Sequence, residues 1–376
     1  MPDLCGAFLH DIDLAIELEK RGHDVVFMSL EVPKIGVNGG DYRGFKYMHF
    51  SAGGKYLEVS EGWICPHAPA LADVRNLNAR GYNRPILATC HYDGNYLAIV
   101  KNNPGRNIRW VEMFMFINAT MEPNYKKNVV PWPPNIMRTA IVRPLMHEHK
   151  IRIDEPFRGD CITLVNANQN KGVTQFIDLA KRMPDRKFLG VIPYYGELRL
   201  PPSPGNIEWI PFDDDIRNIL KRTRILVVPS YYESFGRIAV EAMYNGIPVL
   251  YSKPHPKPKH PGGSTEGMEE WIVPAGISCD REKIEEWMDA IVSLDSEETY
   301  VARSEQVKAH IQSLNLFTEG ARIAGLVEQF VREYPVKIQT PQQQEAQSQM
   351  PQQTATRIVQ PVGRVGFSSG RLRIQR

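Results

Sequence analysis

Two carboxylates, Glu233 and Glu241, stand eight positions apart, and the first is followed at once by Ser234, Phe235 and Gly236. A turn of that kind at a helix start leaves backbone N–H groups free, which suits a phosphate. A carboxylate just before the turn would repel that phosphate, so Glu233 is better suited to accept hydrogens from the hydroxyls of a sugar. Glu241, one to two turns into the helix, can hold the diol of a ribose. The bland alternative is that Arg237 and Glu241 form a solvated i,i+4 ion pair, worth about 0.2–0.5 kcal/mol. Lys171 closes a polar loop at 166–172 and can meet an anion or remain a surface lysine. His91 ends an apolar run, where a lone histidine is commonly structural.

The elements that must position these residues are legible around Glu233. Residues 225–229 read as a strand, Asn245 and Gly246 close the helix, and 247–250 begin the next strand. Strand, polar turn, helix and strand make a βαβ unit, and ligands of such sheets bind beyond the carboxyl ends of the strands. The same rhythm runs upstream. Residues 161–165, 187–191 and 207–210 read as strands, and Val173, Phe176, Ile177 and Ala180 share one helical face. Asp213 is expected to cap a helix running to Arg222, with further acids favoured in its first turn. Amphipathic helices are expected over 281–294, 297–313 and 319–334.

The first 150 residues are less regular. A helix is expected over 10–21, stopped by Gly22, followed by a strand at 24–28. Residues 36–60 offer short β-like pieces. Residues 85–90 form a buried strand ending at the polar turn 91–94, residues 107–119 are strongly apolar, 140–142 form a strand, and 154–159 read as a linker. A doubly wound domain ordinarily has a strand before its first helix. Only residues 1–8 are available for it, and they read poorly as one.

Composition excludes several classes. Of 376 residues, 42% are hydrophobic and 23% charged, as in a soluble globular protein, with room for two domains. No apolar run reaches the roughly 18 residues of a membrane span, and the N-terminus carries no secretory pattern. The cysteines, at 5, 65, 90, 161 and 279, lack the spacing of a disulfide framework or zinc site. A reducing cytoplasm is the default. The net charge of +2 is uneven: residues 337–376 hold six Lys/Arg and one Glu, leaving the rest at −3. No specific nucleic-acid binding is expected from that folded part. Ten of those last forty residues are Gln, so 335–376 is expected to be a disordered, basic tail, solubilising or in peripheral contact with a membrane.

With these residues in place, the chain resembles a known family. Glu233-x7-Glu241 within SYYESFGRIAVEAMYNGIPVL is similar to the signature of retaining glycosyltransferases of the GT-B fold, family 4 (group 1). LVNANQNKGVTQFIDLAKRMPDRKFLGV resembles that family's phosphate loop, PILATC followed by His91 its acceptor-side histidine, and IVRP its approach to the linker. The resemblance spans roughly residues 10–334. It implies an α/β GT-B architecture, two Rossmann-like domains facing across a cleft. Residues 1–153 would bind the acceptor and 160–317 the nucleotide sugar, with 318–334 a helix packing back on the first domain. It also implies roles: Glu233 on the donor sugar, Glu241 on the ribose, Lys171 with the N–H groups of Ser234, Phe235 and Gly236 on the diphosphate, and His91 beside the reacting carbon. The nucleotide sugar is a co-substrate, and no metal or other cofactor is implied. The acceptor is a hydroxyl on a saccharide, lipid, small molecule or protein.

Asn166 stands where that family places an arginine five residues before the lysine. It can donate a hydrogen bond to phosphate but brings no charge. Arg143, Arg237 or a lysine of 253–259 are the candidates to compensate. A catalytically inactive nucleotide-sugar-binding or scaffold protein, or an epimerase or phosphorylase of the same fold, are the competing readings. Asp213-x-Asp215 mimics a metal-binding pair, and His147 with His149 another, but neither has supporting ligands at useful spacing. The basic, proline-stiffened stretch 253–260 is either a solvated loop or a flank of the donor pocket.

Overall fold

The computed structural model describes residues 6–29, 36–66, 74, 77, 82, 84–91, 111–128, 138–154, 157–193, 201–255 and 265–334. The turn residues 92–94, residues 256–264 of the basic loop and the tail 335–376 lie outside these, as do residues 1–5 of the stretch available for a first strand.

The first described element is a helix, α1 (Gly6–Lys20), which starts four residues earlier than its apolar stripe suggests. Ile12, Leu14, Ala15 and Leu18 are buried, and so are His10, Asp11 and Asp13. Strands β1 (Val26–Ser29), β2 (Gly40–Tyr42) and β3 (Phe45–His49) form a small sheet in the order β1-β3-β2. Residues 54–59 are helical, not β-like, and form α2 (Gly54–Val59). Strands β4 (Trp63–Cys65), β5 (Ile86–Cys90), β6 (Met113–Phe116) and β7 (Arg138–Ile141) then make a four-stranded parallel sheet in chain order. All positions of β5 and β6 are buried, as expected of a parallel sheet covered on both faces. Short helices α3 (Met121–Asn128) and α4 (Glu148–Ile151) follow β6 and β7.

From residue 161 the βα alternation is regular: β8 (Cys161–Val165), α5 (Val173–Arg182), β9 (Lys187–Val191), β10 (Ile207–Ile210), α6 (Ile216–Leu220), β11 (Thr223–Val228), α7 (Arg237–Tyr244) and β12 (Val249–Ser252). Then come α8 (Glu266–Ile272), β13 (Ile277–Cys279), α9 (Ile284–Ser293), α10 (Glu297–Ser313) and α11 (Glu319–Glu333). The six strands are parallel, in the order β10-β9-β8-β11-β12-β13. The order reverses between β8 and β11, so a crevice opens at their carboxyl ends. Phe176 and Ile177 of α5 and Trp287 and Ile291 of α9 cover one face. Val240 and Met243 of α7 and Val307 and Ile311 of α10 belong to the core on the other. The cap of α6 falls on Asp215, whose side chain accepts from Arg217 N at 3.1 Å. Asp213, the expected cap, instead accepts from Asp215 N at 2.8 Å, one step ahead of the helix.

Helix α11 returns to the start of the chain. Arg21 forks onto Glu328 with Nε–Oε1 2.7 Å and Nη2–Oε2 2.6 Å. Ile323, Ala324, Val327 and Phe330 share one buried cluster with Leu14 and Leu18. Further bonds join the two sets of strands. Asn245 at the end of α7 donates to Ile151 O at 2.8 Å and accepts from Ile153 N at 2.9 Å. Asn118, just after β6, donates to Ser234 O at 2.6 Å.

Gly267 lies directly under that last bond. A Cβ there would fall 2.2 Å from Ser234 O and 2.3 Å from the Asn118 amide nitrogen. Gly267→Ala must push the two apart, and overpacking of this kind costs about 1–3 kcal/mol. Gly325→Ala, in α11 with open space around it, should instead raise stability by about 0.4–1 kcal/mol. Urea unfolding of the two variants reads both signs.

Candidate functional site

The polar loop after β8 and the turn after β11 meet at the reversal of strand order. Gly172 makes the meeting possible. Its φ is +82°, and an added Cβ would lie 2.3 Å from Pro229 O, so only glycine lets the loop approach β11 so closely. Tyr231 N donates to Asn170 O at 2.9 Å and pins the loop to the turn. Lys171 Nζ is thereby brought 2.6 Å from Glu233 Oε1. Ser230 Oγ donates to the same oxygen at 2.7 Å. Glu233 is buried and Lys171 is 30% exposed. Two donors on Oε1 leave Oε2 with no partner among the described residues. Hydrogen bonds to charged groups contribute about 1.5–3 kcal/mol each, so this carboxylate is firmly aimed.

Ser234, Phe235 and Gly236 lead into α7 as the sequence suggests. Gly236 caps the helix in the left-handed region, φ +76°, and no side chain caps it. The Phe235 ring stacks on Trp271 at 5.3 Å between centroids, and Trp271 Nε1 donates to Phe235 O at 2.6 Å. The turn is therefore fixed from behind by α8.

Arg237 has a different task from the phosphate contact expected of it. Its Nε donates to Glu241 Oε1 at 2.9 Å, Nη1 to Leu145 O at 2.9 Å, and Nη2 to Asp13 Oδ2 at 3.0 Å. The first partner is on its own helix, and the other two come from the first 150 residues. Burial alone would lower its pKa, but the carboxylates of Glu241 and Asp13 hold it above its usual value. Burial raises the carboxyl of Glu241 despite the facing guanidinium. Glu241 is thus a buried partner of Arg237, not the solvated pair of the bland alternative. Asp13 also accepts from Lys150 Nζ at 2.7 Å, with His147 Nε2 at 3.5 Å.

His91 lies at the carboxyl end of β5, with Nε2 3.6 Å from Asp11 Oδ1. Its ring meets that of His10 edge-on at 5.3 Å. His10 is fully buried and its Nδ1 accepts from Leu145 N at 3.1 Å. Burial, and then the nearby His91 and Arg237, push its pKa well below the usual value, so it is neutral and carries its proton on Nε2. Among the described residues, no hydrogen bond or ion pair links His91 to the Lys171–Glu233 pair.

Asn166 adopts φ +64° at the end of β8, a conformation asparagine tolerates better than most residues. Its Oδ1 accepts from Asn168 Nδ2 at 3.0 Å. Of the groups that could compensate for its lack of charge, Arg237 is committed as above, and Lys253 pairs with Glu286 at 2.9 Å. No group of three or more His, Cys, Asp or Glu suited to a metal ion occurs among the described residues. Sequence reasoning missed Ser230, Asp13 and Asn118. The acids of α1 carried the one available signal, standing beside Ile12 and Leu14 where a helix hides its apolar stripe.

Residues 203–310 match the family model described as glycosyl transferases group 1. D-inositol 3-phosphate glycosyltransferase of Corynebacterium kroppenstedtii is 26% identical over 123 residues, 32% of this chain and 25% of the relative. The same-named protein of Corynebacterium glutamicum is 28% identical over 109 residues, 29% of this chain and 24% of the relative. The matches thus span about a quarter of the length of these curated relatives. Among solved structures, Anabaena HepE in complex with UDP-glucose has a TM-score of 0.66 at 15% identity, covering 88% of this chain and 97% of that one. Sucrose-phosphate synthase from Thermosynechococcus elongatus has a TM-score of 0.66 at 14% identity, covering 86% and 93%. The chain therefore has the GT-B fold, two Rossmann-like α/β domains whose parallel sheets flank a cleft.

Arg237→Leu would leave Asp13 and Glu241 buried without their shared cation. Breaking a buried pair from one side costs about 3–5 kcal/mol, to be read as a shift of the urea midpoint. His10 gives a pH dependence. Its native pKa lies below the ordinary value of about 6.5, so the unfolded chain takes up the proton first. Stability contributed by neutral His10 is intact above that pH and falls as pH drops below it. Melting temperatures measured from neutral to mildly acidic pH should fall less steeply for His10→Gln than for the unaltered protein.

Proposed function

We propose that this chain is a retaining glycosyltransferase that moves a sugar from a nucleoside diphosphate donor to a hydroxyl acceptor. The observation that carries the reading is the Lys171–Glu233–Ser230 constellation at the start of α7. It sets a cation, an aimed carboxylate and a helix N-terminus side by side at the switch point of a parallel sheet.

Transfer breaks the bond between the anomeric carbon and the diphosphate oxygen. Negative charge grows on the leaving phosphate, and the sugar gains oxocarbenium character. Lys171 and the N–H groups of Ser234, Phe235 and Gly236 stabilise the first. Glu233, with Oε2 unpartnered among the described residues, accepts from the donor sugar's hydroxyls and holds the ring in place. The acceptor hydroxyl attacks from the face the diphosphate leaves; as the new C–O bond forms and the C–O bond to the diphosphate breaks, its proton passes to the departing phosphate oxygen. His91 lines the acceptor side. Glu241 acts on the ribose or, as its bond to Arg237 favours, supports the turn from below. The group 1 match over 203–310 covers Glu233 and Glu241 and supports the same assignment. A cytoplasmic location and a family 4 affiliation belong to this proposal.

The test is donor hydrolysis and transfer with a panel of UDP-, GDP- and ADP-sugars, UDP-glucose first. One donor should be turned over. Glu233→Gln, which keeps the shape and loses the charge, should lower kcat by about 10²–10³, the usual loss for a transition-state contact, with the melting temperature little changed. Binding of a nucleotide sugar without any turnover would replace the enzyme by a binding protein of the same fold. Full activity in Glu233→Ala would remove Glu233 from the site.

A further inference from the structure

At the carboxyl edge of the same sheet sits a cation the proposed reaction has not yet used. Arg281 follows β13, in the turn before α9. Its Nε, Nη1 and Nη2 are all buried, and none has a hydrogen-bond partner among the described residues. The guanidinium lies over the ring of Tyr231. Burial lowers its pKa to about 10, while Tyr231 and Glu282 act in the opposite sense.

An arginine in this state is out of balance. Its fork of five N–H donors is built for two-point contact with a carboxylate or phosphate. An aromatic face offers a cation some attraction but accepts none of those hydrogens. The available acids do not reach it. Asp280 accepts from Glu282 N at 3.0 Å and faces Lys283 at 3.6 Å. Glu286 takes Lys253 and the N–H of Asp280. Gln175, near the N-terminus of α5, has a buried side-chain oxygen that is likewise without a partner. Helices α5 and α9 pack together on this face of the sheet, so Arg281 and Gln175 stand at the same end of one layer.

The position of Tyr231 makes this relevant to the site. Its backbone N–H is bonded to Asn170 O, next to Lys171. It follows directly on Ser230, which donates to Glu233. The ring under Arg281 therefore belongs to a residue that adjoins Ser230, stands two positions before Glu233 and is bonded to the neighbour of Lys171.

We propose that Arg281 is an anion-binding residue of this site, taking the phosphate oxygens of the donor's diphosphate and supplying a charge that Asn166 cannot. This rests on the reading of the cleft as a nucleotide-sugar site. Tyr231 acts as the platform that keeps the guanidinium in place. A free phosphate offers the same chemistry, so source and residue must be tested together.

The experiment is calorimetric titration of the full chain with inorganic pyrophosphate, orthophosphate, UDP, GDP, ADP and the matching nucleosides, for the unaltered protein, Arg281→Met and Arg281→Lys. Methionine keeps an apolar stem on Tyr231, and melting temperatures report whether each variant is folded. The expected result is that Arg281→Met weakens pyrophosphate and the bound nucleoside diphosphate about tenfold or more, leaves the nucleoside unchanged, and is partly rescued by lysine. Equal weakening of nucleoside and diphosphate, or no change in either, overturns the assignment. Loss of orthophosphate binding alone assigns Arg281 to a free-phosphate site and overturns the donor role. If the unaltered protein binds pyrophosphate through Arg281 but no nucleoside diphosphate, the nucleotide-sugar reading fails while the anion site stands. If it binds neither, both fail.

Discussion

The buried guanidinium of Arg237 is the constraint around which the cleft is organised. A charge taken out of water must be matched on each side, and here the matching groups come from three places. Asp13 lies on the first helix, Leu145 O follows β7 of the four-stranded sheet, and Glu241 sits one turn along from Arg237 itself. The cation can be satisfied only when the two domains stand in one relation. That same relation puts Asn118 on Ser234 O, so the turn that opens α7 is formed by one domain and fastened by the other. The geometry of the candidate site is therefore a property of the joint, not of the second domain alone.

The two halves of the chain differ in how readily they were read. From 161 onward each strand is a short apolar run bounded by polar turns, and the observed strands β8, β9 and β10 coincide with the expected ones. Parallel strands covered on both faces leave that signature because nearly every position must be apolar. The first half mixes signals. Residues 54–59 combine glycine, tyrosine and valine in a way that suits strands, yet form a helix. Strands β2 and β4, three residues each, are too short to show a period at all.

The site was legible where chemistry is written in neighbouring residues and illegible where it depends on distance. Glu233, the turn and Lys171 announced themselves by type and spacing. That Lys171 would reach Glu233 followed only from the fold, because 62 positions separate them. Arg237 misled for the same reason: four residues from Glu241, it looked like a surface pair, and its decisive partner lies 224 positions away. Asp215 displaced Asp213 as a cap by a smaller margin, since a run of three acids does not say which one meets the first free N–H.

Helix α11 has a consequence for how the protein is made. Its apolar residues complete the core around α1, and Glu328 receives Arg21 and His23. Helix α1 therefore leaves the ribosome some three hundred residues before its last packing partner. At about 5–20 residues per second that is on the order of tens of seconds. Through that interval Leu14 and Leu18 lack part of their final cover. Assembly of the first domain is in this sense concluded by α11, and the N-terminal domain cannot be regarded as a unit finished early and left waiting for the second.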